Sequence, residues 1–368
     1  MKHYVINGGG MVGASAALAL ATHGERVTLI DAQPEAQTSD EWDLRISSVN
    51  DNHWQWLLSL GIGDDLNHKQ LPYQRLSVTT IAGTQLSFTA ADAGAEQLGV
   101  MVENNNLQAA LWKCCQRHAA IEFKAPAQVT DFDLPNQRLT LDDGEQLNYD
   151  VLIGADGANS AVARAAAIGY RGWDYGQRCL LANVTLEQPF EAETWEVFRP
   201  KGPYALLPLT SNTACLIDYR SAAEINSISS DADTLISELT KTFGDTIGDF
   251  QLQRYASFPL QRKHALEYHK GHSLILMGDA AHTIHPLAGQ GVNLGFADVR
   301  SWLDCGQDVK RYQQQRQQQN ARMMRAMDLV NVSFRSSSKP INWLLRGGFS
   351  IIERTALKSL LLGSAMQR

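Results

Sequence analysis

The sequence predicts an α/β fold in which a nucleotide-binding domain carries an inserted antiparallel β-sheet. A strand, a glycine turn, a helix and a second strand follow one another in residues 3–30. Two more apolar strands, at residues 150–153 and 273–277, each run into a turn that contains Gly and Asp. Residues 184–258 instead hold short β-rich runs interrupted by prolines, with one helical stretch at residues 233–243. This last pattern is typical of an antiparallel sheet.

The composition is that of a globular chain. Of 368 residues, 44% are hydrophobic and 19% are charged, and the net charge is −7, which argues against disordered, collagen-like and coiled-coil classes. The length allows two or three domains, or one large α/β unit with an inserted piece. The five cysteines form no C-x-x-C pair, so we expect a reducing, cytoplasmic compartment and neither a disulfide framework nor a zinc site.

The N-terminal unit carries the spacing G-x-G-x-x-G at Gly8, Gly10 and Gly13. In a Rossmann-like fold the first glycine allows a tight turn, the second lets a pyrophosphate approach the backbone, and the third lets the helix pack on the strand. Unpaired N–H groups at the helix N-terminus favour phosphate. Asp31 follows the second strand, where a carboxylate accepts hydrogen bonds from ribose hydroxyls; the alternative is a strand-ending turn. The unit predicts a dinucleotide site but does not separate NAD from FAD.

A second turn that contains Gly and Asp distinguishes FAD from NAD. Residues 276–282 read LMGDAAH and residues 286–293 read PLAGQGVN, and together they resemble the GD motif of the class A flavin monooxygenases, the flavoprotein aromatic hydroxylases. The resemblance implies that Asp279 binds the ribityl chain of FAD and that glycines without Cβ atoms let backbone N–H groups approach the flavin ring. Within this segment it assigns cofactor contacts to Gly278, Asp279, Pro286, Gly289, Gly291 and Asn293.

Residues 153–160 read IGADGANS and resemble the DG motif of the same family. The resemblance implies that Asp156 and Gly157 contact FAD and the nicotinamide cofactor. The family pattern has an Arg seven residues after the Asp, whereas this chain has Ala163 there and Arg164 one position later. One residue rotates a helical side chain by about 100°, so the departure bears on contact with the nicotinamide cofactor.

Two shorter segments extend the resemblance. In residues 43–47, DLRIS, the family pattern implies that Arg45 pairs with the flavin pyrophosphate as a bidentate donor; the alternative is a surface arginine. In the segment that begins VEN at residue 102, it implies that Gln108 lies near the flavin.

With these segments spread over nearly the whole chain, the sequence is identified as a member of the ubiquinone-biosynthesis hydroxylases among the class A flavin monooxygenases. The resemblance implies that NAD(P)H reduces the FAD, that dioxygen adds at the flavin C4a carbon, and that the resulting hydroperoxide hydroxylates a polyprenyl benzoquinol ring. Because the hydroxyl groups of the substrate activate its own ring, no catalytic residue and no metal is assigned. His282 and His285 are candidates either for acid/base chemistry or for packing beside the flavin.

The motifs also predict an interleaved domain organisation. The FAD-binding domain takes residues 1–74, 98–183 and 270–305, and the substrate-binding β-sheet domain takes residues 75–97 and 184–269. Residues 306–368 form a C-terminal helical region, helical over residues 308–330. The end of this region, residues 335–368, carries a local charge of +5 among apolar residues, which leaves −12 for the rest. This tail either dips into an anionic membrane surface or docks on the core.

Two further hypotheses keep the fold. One is an FAD-dependent reductase or dehydrogenase that forms no hydroperoxide. The other is a non-catalytic member of a quinone-biosynthesis assembly, supported only by Ala163 and by Asp218, which stands where relatives carry a Trp. Asn7, before the glycines, also replaces an apolar residue. Nucleic acid is not an expected partner, because the acidic body repels phosphate.

Overall fold

A computed structural model describes residues 1–34, 42–80, 83, 85–190, 193–284 and 290–335. The helices are α1 Met11–Thr22, α2 Asp51–Ser59, α3 Asn104–Arg117, α4 Ala161–Ala165, α5 Ala222–Ile228, α6 Ala232–Ile247, α7 Gln290–Asp304 and α8 Val309–Arg335. The strands of the first half are β1 His3–Asn7, β2 Arg26–Ile30, β3 Ile46–Asn50, β4 Gln70–Tyr73, β5 Arg75–Thr80, β6 Gln85–Thr89, β7 Gly99–Glu103, β8 Ile121–Lys124, β9 Val129–Asp133, β10 Arg138–Leu141, β11 Gln146–Asn148 and β12 Val151–Gly154. The remaining strands are β13 Tyr170–Leu186, β14 Glu193–Phe198, β15 Tyr204–Pro208, β16 Thr213–Ser221, β17 Phe250–Ala265, β18 His269–Lys270, β19 Leu274–Leu276 and β20 His282–Thr283.

The six-stranded sheet has the order β18-β19-β12-β1-β2-β8. All its pairs are parallel except the edge pair β18–β19. In register, Asn7 at the end of β1 lies beside Gly154 at the end of β12, and Gly154 lies beside Leu276 at the end of β19. Carboxyl ends of parallel strands meet at one edge, where α/β folds bind their ligands. The glycine turn, the DG segment and the GD segment therefore all begin at the same edge.

Helix α1 is buried on almost every side because its sequence, MVGASAALALAT, consists mainly of small and apolar residues. Small side chains let α1 approach both the sheet and its neighbours α3 and α7 closely. At Gly295 of α7, an added Cβ would lie 2.4 Å from Val12 Cγ2. This close packing fixes the N-terminus of α1 against the strand ends.

The eight-stranded sheet has the order β20-β17-β13-β16-β15-β14-β5-β6 and is antiparallel except for the pair β14–β5. One face packs against α5 and α6, where Leu206 and Leu216 meet Leu239 and Phe243. We call this the outer face. The other face, the inner face, packs against the segment that leads into β3, where Tyr219 and neighbours meet residues 42–46.

The model confirms the predicted α/β class with an antiparallel sheet set into a nucleotide-binding fold. The helical stretch predicted at residues 233–243 lies within α6, and that predicted at 308–330 matches α8 except that the helix begins one residue later, at Val309. Strands β5 and β6 join the large sheet from far along the chain, and β13 enters it already at Tyr170, ahead of the predicted boundary at residue 184. The domain limits themselves stay a prediction.

The part of the chain that follows α8, residues 336–368, lies outside the described residues, and with it the predicted basic, apolar tail. Among the helices of the described ranges, none is both long enough and apolar enough to cross a membrane.

Candidate flavin site

The glycine turn after β1 is shaped by close backbone contacts. Gly8 has φ +107°, and a Cβ there would lie 2.4 Å from the Ala155 carbonyl oxygen; a Cβ at Gly13 would lie 1.8 Å from the Gly8 carbonyl oxygen. A Cβ at Gly10, by contrast, would meet no heavy atom within 4 Å. Gly10 is also the N-cap of α1 and offers no side-chain cap. The open space at Gly10 leaves room for a pyrophosphate at the N-terminus of α1, where helix N–H groups favour anions.

The backbone of Gly9 is held by three side chains. Asp31 Oδ2 accepts from the Gly9 N–H at 2.6 Å, while Asp31 Oδ1 accepts from the Gln33 N–H at 2.8 Å. Gln108 Nε2 donates to the Gly9 carbonyl oxygen at 3.2 Å, and Trp112 Nε1 donates to the same oxygen. A carboxylate has about four acceptor positions, so Asp31 keeps capacity for a ribose hydroxyl.

Trp112 was not found by sequence reasoning. The signal was available, because Gln108 and Trp112 are four residues apart on α3 and so share one helix face. The observed bond of Gln108 goes to the glycine turn, and its predicted place near the flavin stays a prediction.

Asp156 caps a short helix and keeps one oxygen free. Its Oδ2 accepts from the N–H groups of Ala161 and Val162, at 2.7 and 3.2 Å, and from Asn7 Nδ2 at 3.2 Å. Asn7 thus has a role that an apolar residue could not fill. Asp156 Oδ1 is buried and has no partner within the described ranges. An orphaned buried acceptor at the edge where the strands end fits a hydroxyl-bearing cofactor.

The departure at Ala163 has a simple packing reason. Ala163 is fully buried, and its N–H donates to Ser160 Oγ at 2.9 Å. Arg164 is exposed and its guanidinium donates to the Asn159 carbonyl oxygen. Position 163 of this chain therefore faces the core, and the positive charge sits on the solvent side of α4. Gly157 follows Asp156 and is also a predicted cofactor contact; its φ of +78° lies in the left-handed region that favours glycine.

The GD segment packs directly on the start of α1. Gly278 has φ +59°, and a Cβ there would lie 3.3 Å from Val12 Cγ2. Asp279 follows in a short 3₁₀ turn, Gly278–Ala280, with its side chain reaching solvent. The pKa of Asp279 is raised, chiefly because surrounding protein desolvates the carboxyl, with repulsion from Asp298 added and attraction to His282 opposing. An exposed carboxyl at this position can accept a hydrogen bond from a bound hydroxyl group.

Gly291, Asn293 and Arg45 are also described residues of the predicted site, and their surroundings differ. Gly291, at the start of α7, has open space around its Cβ position, as Gly10 does. Asn293 is fully buried: its Nδ2 donates to the Ser48 carbonyl oxygen at 2.8 Å and its Oδ1 accepts from the Asn50 N–H at 2.9 Å. These bonds tie α7 to β3. Arg45 is exposed, at the entrance to β3.

Three members of the GD segment, Pro286, Gly289 and His285, lie outside the described residues. Their predicted places near the flavin stay predictions, as do the cofactor contacts predicted for the members that are described.

A buried ionic network supports the GD turn, and sequence reasoning missed it. Asp298 Oδ2 accepts from the Gly278 N–H at 2.9 Å and from His282 Nε2 at 2.6 Å, and Asp298 Oδ1 accepts from Arg316 Nε at 2.6 Å. Burial alone would raise the pKa of Asp298, but His282 and Arg316 outweigh it and lower that pKa. Asp298 thereby fixes the orientation of the buried His282 imidazole, and both roles considered for His282, packing and acid/base chemistry, stay predictions.

Fold and site together define a protein of the dinucleotide-binding α/β class, with its candidate site at the edge where the ends of β1, β12 and β19 meet. Residues 3–302 match the family model described as FAD binding domain. The chain belongs to this family of FAD-dependent hydroxylases and monooxygenases, and FAD is its cofactor.

Curated relatives match along nearly the whole chain. The chain is 38% identical to 3-demethoxyubiquinol 3-hydroxylase of Escherichia coli over 96% of its own length and 95% of the relative's. It is 33% identical to ubiquinone hydroxylase UbiL of Rhodospirillum rubrum, over 98% and 89% of the two lengths. It is 30% identical to the human mitochondrial ubiquinone biosynthesis monooxygenase COQ6, over 92% and 86%.

Solved structures share the fold at low identity. The model matches p-nitrophenol 4-monooxygenase from Pseudomonas putida with a TM-score of 0.78 and 16% identity, covering 100% of this chain and 98% of that one. It matches PqsL, a probable FAD-dependent monooxygenase from Pseudomonas aeruginosa, with a TM-score of 0.74 and 18% identity, covering 96% and 100%. The predicted fold class and family are thereby confirmed.

Proposed function

We propose that this enzyme hydroxylates the ring of a polyprenyl benzoquinol in ubiquinone biosynthesis, with NAD(P)H as reductant and dioxygen as co-substrate. The relative that is 38% identical is named for hydroxylating 3-demethoxyubiquinol, and a demethoxyubiquinol is the substrate that we assign here. The observation that carries the proposal is structural. Three strand ends, at Asn7, Gly154 and Leu276, meet at one edge of the parallel sheet, and the GD segment after Leu276 runs into β20, an edge strand of the sheet whose inner face is largely apolar.

The residues of the chain divide the binding of FAD among the three strand ends. The N-terminus of α1 takes the pyrophosphate through its free N–H groups, and Asp31 takes the ribose. Asp156 Oδ1 and Asp279 offer acceptors for further hydroxyl groups, Asp279 for the ribityl chain. When bound, FAD supplies the redox chemistry and the activation of dioxygen.

The inner face of the large sheet supports a lipid-like aromatic substrate. It carries the buried apolar side chains of Leu181, Leu209 and Leu260. Leu207 and Ile217 on the same face are only partly buried, and Phe258 is 38% exposed. A partly open apolar face can accept the ring and the start of the prenyl chain, and it keeps water away from the reacting atoms.

Because a polyprenyl quinol partitions into lipid, we further propose that the protein works on the surface of the inner membrane. The basic, apolar segment 335–368 suits an anionic membrane surface. Assembly with other enzymes of quinone biosynthesis belongs to the same proposal, since a lipid-bound intermediate is most readily passed between neighbours at one surface.

The direct test uses purified protein with bound FAD and a short-chain 3-demethoxyubiquinol analogue. We expect NAD(P)H oxidation that depends on the quinol, and one atom of labelled oxygen in the product when the assay runs under ¹⁸O₂. Quinol-dependent oxidation without labelled product would instead identify a reductase or dehydrogenase. No flavin reduction under any of these conditions would exclude both enzymatic functions.

A non-catalytic role is tested in cells. If the protein is an enzyme, a deletion strain accumulates the unhydroxylated quinol, and an Asp279→Ala variant at normal abundance fails to restore ubiquinone. Restoration by that variant would favour the non-catalytic role. Asp218, one of two residues that supported this role, lies on the outer face of the sheet, among groups that point to α6, so it does not alter the substrate face.

A further inference from the structure

A single carboxyl group interrupts an apolar row on the inner face of the large sheet. The strand registers align Ala256, Leu181, Ile217, Ala205, Glu196 and Val78 across six neighbouring strands. Side chains in register share one face of a sheet. Glu196 therefore stands in an otherwise apolar row, on the face of the sheet that packs against residues 42–46.

Glu196 is buried and incompletely satisfied. Glu196 is only 6% exposed, and its Oε1 atom has no hydrogen-bond partner within the described ranges. Leaving a buried polar atom without a partner is costly, and such groups in native proteins call for an explanation. Glu193 on the same strand contrasts with it, because Glu193 lies on the outer face and pairs with Arg75 and Ser77.

Burial raises the pKa of Glu196 to about 8. The titratable groups that sense its charge are Tyr219 on β16 and Cys179 on β13, and both are acids whose own pKa values are raised by burial. The carboxyl is thus neutral and protonated at pH 7, a state in which it can donate one hydrogen bond and accept another.

The inner face is not completely covered around Glu196. Val78 on the adjacent strand β5 and Ile217 two strands away in the same row are only partly buried, and Leu207 is partly buried in the next row. A planar ring lying beside Glu196 would meet mainly the apolar side chains of its row, with the carboxyl as the hydrogen-bonding group of that row. Among apolar surroundings, one hydrogen-bonding group decides the orientation of a ligand.

We propose that the Glu196 carboxyl hydrogen-bonds a ring oxygen of the quinol substrate and so fixes which ring carbon faces the flavin. This role rests on the proposed function, since it names the group that recognises that substrate. It involves no covalent step: the carboxyl donates its proton in a hydrogen bond, or accepts from a ring hydroxyl, and the ring is held in one rotational position.

The test compares the wild type with Glu196→Leu and Glu196→Gln, each as holoenzyme. The ligands are a short-chain 3-demethoxyubiquinol analogue and its mono-methyl ethers, with binding followed by the change in flavin absorbance. In the wild type, methylation of the recognised hydroxyl should weaken binding about tenfold, as expected for losing one buried hydrogen bond. In Glu196→Leu that penalty should vanish, KM should rise about tenfold, and NAD(P)H oxidation should become uncoupled from hydroxylation.

Glu196→Gln keeps a donor and an acceptor, so it should retain most of the binding preference while losing the pH dependence near pH 8. Glu193→Gln is the matched control and should leave binding, KM and coupling unchanged. The same methylation penalty in Glu196→Leu and in the wild type would overturn the role of Glu196, even with hydroxylation intact. A wild type that neither binds nor hydroxylates the quinol would overturn the proposed function and this role with it.

Discussion

Arg316 Nε donates to Asp298 Oδ1 at 2.6 Å, inside the protein and away from solvent. Arg316 lies on α8 and Asp298 on α7, and the other oxygen of Asp298 holds the Gly278 N–H and His282. Helix α8 therefore helps to hold the GD turn in place.

Asp298→Asn should destabilise the protein by about 3–5 kcal/mol, because it leaves Arg316 and His282 buried without their counter-charge. It should also weaken FAD binding, since the turn at Gly278 loses its fixed acceptor. Urea unfolding of the apo-protein and FAD titration measure the two effects. Asp304→Asn, an exposed change on the same helix, should shift stability by less than about 0.5 kcal/mol. A loss below about 1 kcal/mol in Asp298→Asn would contradict this view.

Alanine substitutions at Gly10 and Gly13, where the glycine turn leads into α1, should have different effects on stability and on FAD binding. Gly13→Ala places a Cβ 1.8 Å from the Gly8 carbonyl oxygen, so we expect a loss of about 3 kcal/mol or more in the apo-protein. Gly10→Ala places a Cβ in open space, so the apo-protein should keep its stability while FAD affinity falls at least about tenfold.

Thermal unfolding without FAD and fluorescence titration with FAD separate these outcomes. The control is Gly244→Ala in α6, where the Cβ would make an ordinary 3.4 Å contact with Thr240 Cγ2 and helix propensity predicts a gain of about 0.5–1 kcal/mol. If Gly10→Ala bound FAD as tightly as the wild type, the pyrophosphate site would lie elsewhere.

Asp218→Asn should unfold the substrate sheet more easily without changing substrate affinity. The Asp218 carboxylate is fully buried between Arg199 and Arg220, and Arg220 continues to Glu238 at 3.1 Å. Removing that charge takes the carboxylate away from Arg199 and leaves Arg220 with Glu238 alone, at a cost of about 3–5 kcal/mol. Urea midpoints and quinol KM are the measurements, with exposed Asp233→Asn on α6 as control. A changed KM at normal stability would return Asp218 to the substrate face.

Stability should fall as the pH drops from about 6.5 to about 4, partly because of His264. Burial, followed by the positive charges of His282 and nearby arginines, lowers the pKa of His264 to about 4. Between these pH values the unfolded chain binds a proton that the folded protein does not, so unfolding is favoured by up to ~1.4 kcal/mol per pH unit. The free energy of unfolding of His264→Leu, measured by urea titration at several pH values, should show a shallower slope in this range. Equal slopes for variant and wild type would refute the assignment.

Local motifs were readable from the sequence, while long-range contacts were not. Gly8, Gly13 and Gly278 could be predicted because part of what demands glycine there is local: the positive φ of Gly8 and Gly278, and the contact of Gly13 with the nearby Gly8 carbonyl oxygen. The partners of Asp298 could not, since Gly278 and Arg316 reach it from opposite directions along the chain. The orientation of Asp218 was missed because a shift of one residue in strand register moves a side chain to the other face. The same register was needed to recognise Glu196.

The parallel pairing of β14 with β5 has a consequence for how the polypeptide can be divided. Residues 75–89 complete a sheet whose other strands lie beyond residue 170. A fragment limited to residues 184–269 would lack β5, β6 and most of β13. It would expose edge strands with unpaired backbone N–H and C=O groups, which promote aggregation. We therefore expect that neither the parallel sheet nor the eight-stranded sheet can be produced as a separately folded fragment. We also expect folding to be slow, because contacts between strands that are distant in sequence must form before the large sheet is complete.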